Sequence, residues 1–439
     1  MGNRSAELVT HLFCIPLETV ASRQTLTENP SNSNSCMKIL QLCKKFPYPL
    51  KDGESIAVTS LGKSLHQLGC QMSLLAMNTK KHYFHLQELP SEADHYQEIA
   101  AVEVDNSLKF SEAFLNLFSK DSYHISRFWS PSFAARLKRM LQQQSYDVVQ
   151  LETLYLAPYI PIIRQHSDAI IAMRAHNVEH EIWKRIADNT RFWPKKWYLQ
   201  HLTEKLRQFE QQQLQQYDLL IAITERDERI FKKMGYRNES VVVPIGLDSD
   251  EYLTDYSSYQ RKPSIGFIGS LDWMPNQEGL IWFLEKVWPD LQRKHPDLQF
   301  HIAGRNTPEW LQRLRRKHVT VHGEVPNAAD FINNHSIMVV PLLSGSGMRA
   351  KIVEGMMLGR VVVTTAVGLE GIDARNGEEV IIANEPAEFK TSIDRCLKNW
   401  RRLEHIGRKG QEFAVHHYDS LEIARHLLKA YASLTVEAL

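Results

Sequence analysis

Cysteine is scarce in this chain: there are five, Cys14, Cys36, Cys43, Cys70 and Cys396, and no two form a C-x-x-C pair. An odd, scattered set argues against a disulfide scaffold and a cysteine zinc site, and it fits a reducing, cytoplasmic setting. Charge of one sign is lacking too. The 52 basic and 51 acidic side chains leave a formal net charge of +1, too little for a surface that binds nucleic acid through its phosphates. Nor is there a long apolar run. The longest, residues 337–343, falls far short of the roughly 20 residues that a membrane-spanning helix needs. What is present is 43% hydrophobic and 23% charged over 439 residues, the balance of a globular protein with room for about two or three domains.

The N-terminal stretch differs from the rest. Residues 27–35, TENPSNSNS, are polar and turn-forming with little to bury, so residues 1–36 are expected to be a disordered extension. The apolar piece at 8–17 is broken by Thr10 and His11 and lacks a small-residue cleavage site, which speaks against a signal peptide. Ala6 stands where a myristoylation signal wants Ser or Thr. Met37 opens the first clean strand, MKILQLC, and is favoured as the start of translation over being merely the start of the folded part.

From Met37 onward, short apolar strands alternate with longer amphipathic patterns, as parallel sheets covered on both faces require. The alternation occurs twice. Strands are expected at 38–43, 70–76, 147–151, 169–175, 219–223 and 241–244, with helices such as 55–68 and 226–234 between them. A second series is expected at 264–269, 299–303, 320–323, 337–342, 361–365 and 380–382. The polar, tyrosine-rich stretch 247–263 reads as the linker between two domains, 37–246 and 264–439, the C-terminal helix of the second being able to pack back on the first. The expected fold class is α/β. Two doubly wound, Rossmann-like domains would face each other across a ligand cleft at the carboxyl ends of their strands.

The most informative stretch is 337–365, IMVVPLLSGSGMRAKIVEGMMLGRVVVTT. It reads as a buried strand, a loop through Gly345, Ser346 and Gly347, a helix of about three turns, and another buried strand. The glycines let the backbone approach a ligand, and free amides at the helix start form an anion site. Arg349 and Lys351 fall in the first turn, where the macrodipole disfavours each cation by roughly 0.3 to 1 kcal/mol. A diphosphate, held by amides and two cations, would offset that. Glu354, one turn on, is placed to accept hydrogen bonds from a ribose diol. The same spacing also allows a plain surface pair between Lys351 and Glu354.

This stretch resembles the donor-binding signature of retaining glycosyltransferases of family GT4, which have the GT-B fold, and its G-S-G-M-R loop resembles that of one subgroup. The similarity runs from about Met37 to the C-terminus and is strongest over 264–371. The resemblance implies a C-terminal domain that holds a nucleotide sugar, an N-terminal domain that holds the acceptor, and neither a metal nor another cofactor. The family's Glu-x7-Glu pair contacts sugar and ribose. Glu354 matches the second glutamate, and Ser346 stands where the first would be. The Arg and Lys that many members carry after the first strand of this domain are replaced by Gly269, Ser270, Leu271, Asp272 and Asn276, which leaves the diphosphate to Arg349 and Lys351. The loop Val367, Gly368, Leu369, Glu370, Gly371 matches the family's second glycine-bearing loop, and the base is expected near residues 323–325.

In the N-terminal half, strand 169–175 ends at His176, in RAHNVEHEIW. A histidine at the carboxyl end of a parallel strand points into the cleft and suits a hydrogen bond to a reacting hydroxyl; a capping role fits the position as well. Family members commonly carry a histidine here, facing the donor sugar. Asn177 and Glu179 follow. Gly53, in Asp52-Gly53-Glu54, matches the family's first N-domain loop, which approaches the diphosphate. Asp248-Ser249-Asp250 has a metal-binding spacing, but its place on the connector marks it as solvated.

The expected activity is thus transfer of a hexose or similar sugar from a nucleoside diphosphate to a hydroxyl acceptor, lipid-linked or saccharide, in cell-surface polysaccharide or glycolipid synthesis. A GT-B nucleotide-sugar epimerase, and a degenerate donor-binding module in an assembly complex, are the alternatives. Residues 191–207, RFWPKKWYLQHLTEKLR, interleave aromatics with cations. They read either as a contact to an anionic membrane surface, which would make the protein peripheral at the inner face, or as a helix with its aromatics in the core.

Overall fold

The computed structural model describes residues 36–50, 53–107, 116, 119, 121–344 and 348–437. The expected extension 1–36, apart from Cys36, and the loop residues Gly345, Ser346 and Gly347 therefore lie outside the described residues.

Parallel strands buried on both faces have no reason to alternate polar and apolar residues, and the chain's apolar runs form two such sheets. In the first, β1 (Lys38–Cys43), β2 (Gln71–Thr79), β3 (Tyr96–Val104), β4 (Val148–Leu151), β5 (Ile170–Ala175), β6 (Leu219–Ala222) and β7 (Glu239–Val242) lie in the order β3-β2-β1-β4-β5-β6-β7. In the second, β8 (Ser264–Ile268), β9 (Gln299–Ala303), β10 (Val319–Gly323), β11 (Ile337–Val340), β12 (Val361–Thr364) and β13 (Ile381–Ile382) lie in the order β10-β9-β8-β11-β12-β13. Leu40 lies opposite both Ser73 and Val149, and Ile337 opposite both Ile265 and Val361. β11 and β12 are buried along their whole length. The fold is α/β with two Rossmann-like domains, as the alternation of strands and helices implies.

One strand escapes the sequence reading. β3, YQEIAAVEV, exposes Gln97 and Glu103 and among the described residues pairs only with β2, so as an edge strand it carries polar residues that interrupt the apolar run.

The helices that matter for the site are α1 (Gly53–Gln67), α2 (Glu179–Asp188), α3 (Trp193–Gln213), α4 (Glu225–Lys233), α5 (Met274–Trp282), α6 (Ala350–Met357), α7 (Trp400–Tyr418) and α8 (Ser420–Glu437). α8 returns to the first lobe, where Ile423, Ala424, Leu427 and Tyr431 share a core with Val58, Leu61 and Leu65 of α1. Between α7 and α8 the chain runs beside the other connection. The Leu247 amide donates to the Tyr418 carbonyl at 2.9 Å, and the Ser420 amide donates to the Leu247 carbonyl at 3.0 Å. The stretch 247–263 is not a loose tether: its Tyr256 and Tyr259 rings flank the buried Arg360 guanidinium, with centroids 5.6 and 4.8 Å away.

Candidate active site

Each sheet reverses its strand order once, between β1 and β4 and between β8 and β11. At such a point the loops leave in opposite directions and open a crevice at the carboxyl ends of the strands. Here a cleft of about 1480 Å³ opens, lined by Gly53, His176 and Asn177 from the first lobe and by Trp273, Arg349 and Glu370 from the second.

On the second lobe the wall is made by α6. Ile352, Val353, Met356 and Met357 are buried, which fixes the face the helix turns inward. It has eight residues, nearer two turns than three, because Gly359 (φ +69°) follows it and ends the helix. Arg349 stands at its N-cap position, only 8% exposed, its guanidinium 5.2 Å from the Trp273 ring centroid. Burial brings its pKa down to about 10, against the opposing pull of Glu370. Lys351 Nζ donates to Asn276 Oδ1 at 2.6 Å and lies 4.6 Å from the Phe267 ring centroid. Burial, reinforced by Arg349, brings the lysine down to about 7. Two basic side chains thus stand at one helix N-terminus, where the macrodipole disfavours positive charge, with the Glu370 carboxylate pulling on Arg349 and that of Glu354 on Lys351.

Gly269 and Ser270 belong to the same cluster. A Cβ on Gly269 would stand 3.3 Å from Lys351 Nζ, and Asn276 Nδ2 donates to the Ser270 carbonyl at 2.7 Å. Glu354 takes a different partner: Tyr252 donates its hydroxyl to Glu354 Oε1 at 3.2 Å, and burial pushes the carboxyl up. The surface pair that the spacing allows is thus replaced by separate partners for Lys351 and Glu354. Across the cleft, a Cβ on Gly53 would lie 3.9 Å from Ala350 Cβ. The N-termini of α1 and α6 therefore converge, and both present their positive ends to the same space.

On the first lobe, His176 follows β5 and its Nε2 lies 2.8 Å from Glu152 Oε2. Glu152 follows β4 and is fully buried. Burial alone would raise its pKa; Arg174 and the His176 contact outweigh that and bring it to about 2. Neither Glu152 nor Arg174 stands out in the sequence reading. The available signal is polarity where it is costly: Gln41, Gln150 and Arg174 interrupt strands that are otherwise apolar. Behind His176, Glu179 is buried and accepts from the Tyr155 hydroxyl at 2.9 Å. Burial raises its carboxyl to about 6.

The two lobes also meet directly. Glu370 Oε1 lies 3.2 Å from Arg226 Nε, and Arg226 Nη2 lies 2.5 Å from Glu181 Oε2. Gly371, at φ +83°, leaves no room for a side chain, since its Cβ would stand 2.5 Å from Thr224 Cγ2. Of the site residues expected from sequence, His176, Arg349 and Gly53 line the cleft, whereas Lys351, Glu354, Gly269, Ser270 and Gly371 are not among its lining residues. Asp248 is engaged elsewhere, its Oδ2 accepting from Lys63 Nζ at 2.9 Å.

The aromatic stretch 191–207 falls largely on α3. Phe192, Trp193 and Trp197 are 68%, 75% and 55% exposed, so these rings are not core. Lys205 turns inward to the Asn116 carbonyl, and Arg207 pairs with Glu204 at 2.7 Å. The basic surface of the stretch is therefore smaller than its sequence implies. Among the described residues no helix is long and apolar enough to cross a membrane.

Residues 262–399 match a family model described as glycosyl transferases group 1, and residues 52–251 match one described as Glycosyltransferase Family 4. The chain is 25% identical over 320 residues to a protein of Klebsiella pneumoniae described as an uncharacterized 44.6 kDa protein in the cps region, covering 67% of this chain and 76% of that one. Sucrose-phosphate synthase from Thermosynechococcus elongatus superposes with a TM-score of 0.68 at 15% identity, over 91% of this chain and 100% of its own. HepE of Anabaena, solved in complex with UDP and glucose, superposes with a TM-score of 0.62 at 15% identity, over 90% and 100%. At such identities the likeness establishes the fold, GT-B.

Proposed function

Because this chain is a glycosyltransferase built from a family 4 domain and a group 1 domain, we propose that it transfers a sugar from a nucleoside diphosphate to a hydroxyl acceptor with retention at the sugar carbon. The observation that carries this reading is the pair of buried basic side chains, Arg349 and Lys351, at the N-terminus of α6. Burial holds both below their ordinary pKa, and the N-terminus of α1 faces the same space. A diphosphate is the kind of anion that helix N-termini and basic side chains bind together, so its departure from the sugar is stabilised by groups already in place. The acceptor oxygen bonds to the sugar carbon as the bond to the diphosphate breaks, and the acceptor's proton passes to the leaving phosphate oxygen. No metal or other cofactor is invoked, since the countercharge falls to Arg349 and Lys351. His176 orients the sugar.

The donor is a uridine diphosphate sugar, a reading supported by the UDP and glucose bound to a neighbour of the same fold. Synthesis of cell-surface polysaccharide or glycolipid is supported by the relative from a cps region. Membership of the subgroup with a G-S-G-M-R loop is supported by that sequence at 345–349. The exposed Phe192, Trp193 and Trp197 support docking at the cytoplasmic face of a membrane that holds a lipid-linked acceptor.

The test is binding of UDP, GDP and ADP, followed by release of nucleoside diphosphate from the matching sugars. UDP at 100 times its dissociation constant should stabilise the fold by roughly 2.7 kcal/mol. Arg349→Ala should weaken UDP far more than uridine. Equal losses for both, or no shift with any diphosphate, would refute the assignment.

A further inference from the structure

In the first lobe a polar network runs through an otherwise apolar core and ends on one atom of the site. Glu152 lies at its centre with no exposed surface. Its Oε1 accepts from Gln41 Nε2 at 2.6 Å and also from Gln150 Nε2. Its Oε2 faces His176 Nε2 at 2.8 Å and Arg174 Nη1 at 3.4 Å. The outer ring agrees with the direction of these bonds, and Gln41 Nε2 also reaches the Val58 carbonyl at 3.4 Å, which can only accept. The Tyr96 hydroxyl donates to Gln41 Oε1 at 2.6 Å, and the Tyr431 hydroxyl donates to Gln150 Oε1 at 2.6 Å. Each amide oxygen is thereby occupied, and each NH2 is turned toward Glu152. With both glutamines and Arg174 donating to it, the carboxylate is an acceptor only. The remaining partner, His176 Nε2, must then donate as well.

We propose that Glu152 is a positioning residue. It holds His176 in the tautomer that carries hydrogen on Nε2, which leaves Nδ1 as the ring's acceptor for a hydroxyl brought into the cleft. A neutral imidazole has one N–H, and the partner of one nitrogen decides the state of the other. His176 therefore takes a hydrogen bond from a substrate hydroxyl instead of giving one. The network is costly if it serves stability alone, because apolar residues of similar volume do as well or better in a core. Here Gln41, Gln150 and Arg174 all donate to the carboxylate that faces the cleft histidine, Arg174 Nη1 giving also to the Ala57 carbonyl at 3.1 Å. The inference rests on the glycosyl-transfer reading for the identity of the hydroxyl, but not for the tautomer.

Two measurements test it. In protein labelled with 15N-histidine, the long-range proton–nitrogen pattern of His176, assigned by its disappearance in His176→Asn, should be that of the Nε2-protonated ring at neutral pH. An Nδ1-protonated or a doubly protonated pattern overturns the proposal, even if no Glu152 variant folds. With UDP-glucose as probe, Glu152→Gln should lower kcat for UDP release by roughly 10²-fold and leave UDP affinity within about twofold. Glu152→Asp, which keeps the charge, should retain the tautomer and recover most of the rate. A Glu152→Gln enzyme with the wild-type kcat overturns the proposal. If the wild type releases no nucleoside diphosphate from any sugar nucleotide, the transfer reading falls, and the spectrum still decides the tautomer.

Discussion

At the scale of single residues, Lys351 is the group whose chemistry depends most on its surroundings. Its pKa of about 7 leaves it largely neutral at pH 8. A diphosphate beside it favours the ammonium and raises that pKa. Between the free and bound values, binding must therefore take up a proton. Below the free value the lysine is charged in both states and no proton moves on its account. UDP is already fully ionised at pH 8, its phosphate titrating near pH 6. Calorimetry of UDP binding at pH 8, in buffers of different ionisation enthalpy, should show uptake approaching one proton. The uptake should be absent in Lys351→Met, and heats independent of buffer in the wild type would remove Lys351 from the diphosphate site. The positions of Lys351, Arg349 and His176 were legible in sequence because strand ends and helix starts can be read locally. Glu152 was not, because its meaning comes from β4 and β5 ending side by side. Only a glutamate directly after VVQL, with Gln150 inside that run, hinted at it.

At the scale of elements, α8 matters most. Leu427 has no exposed surface and packs with α1, the helix that begins at Gly53. Leu427→Ala should destabilise the protein by about 2 to 5 kcal/mol, read as a lower urea midpoint. Amide exchange should speed up in α1 and leave β11 and β12 protected, whereas a uniform loss of protection would mean that α8 does not belong specifically to the first lobe. Most strands could be read from sequence, since burial on both faces turns a parallel strand into an apolar run. β3, an edge strand with exposed Gln97 and Glu103, could not. The inward turn of Lys205 was equally hidden, because a lysine's partner across the fold leaves no local trace.

At the scale of the whole molecule, the exposed aromatics lie near the mouth of the cleft: α2, which lines it through Ile182 and Ile186, leads into α3 and its Trp193 and Trp197. If this surface docks on a membrane, the protein should sediment with anionic liposomes at low salt and not with zwitterionic ones. Arg191→Glu with Lys195→Glu should abolish this, at roughly 1 kcal/mol for each basic residue near the surface. Trp193→Ser should weaken binding without changing its salt dependence. Wild-type protein that ignores anionic liposomes would favour a soluble acceptor.

The return of α8 also limits how such a chain can be shuffled. The first lobe is opened by residues near the start of the described chain and closed by Ile423, Leu427 and Tyr431, while Tyr431 reaches the buried network that ends at His176 through Gln150. A single crossover between two related genes, placed anywhere in the join between the lobes, hands the progeny a first lobe from one parent and the helix that completes it from the other. Inheriting a new first lobe intact takes two exchanges, one on each side of the second lobe. Drift within the lobe is thus an easier route to new specificity than wholesale replacement.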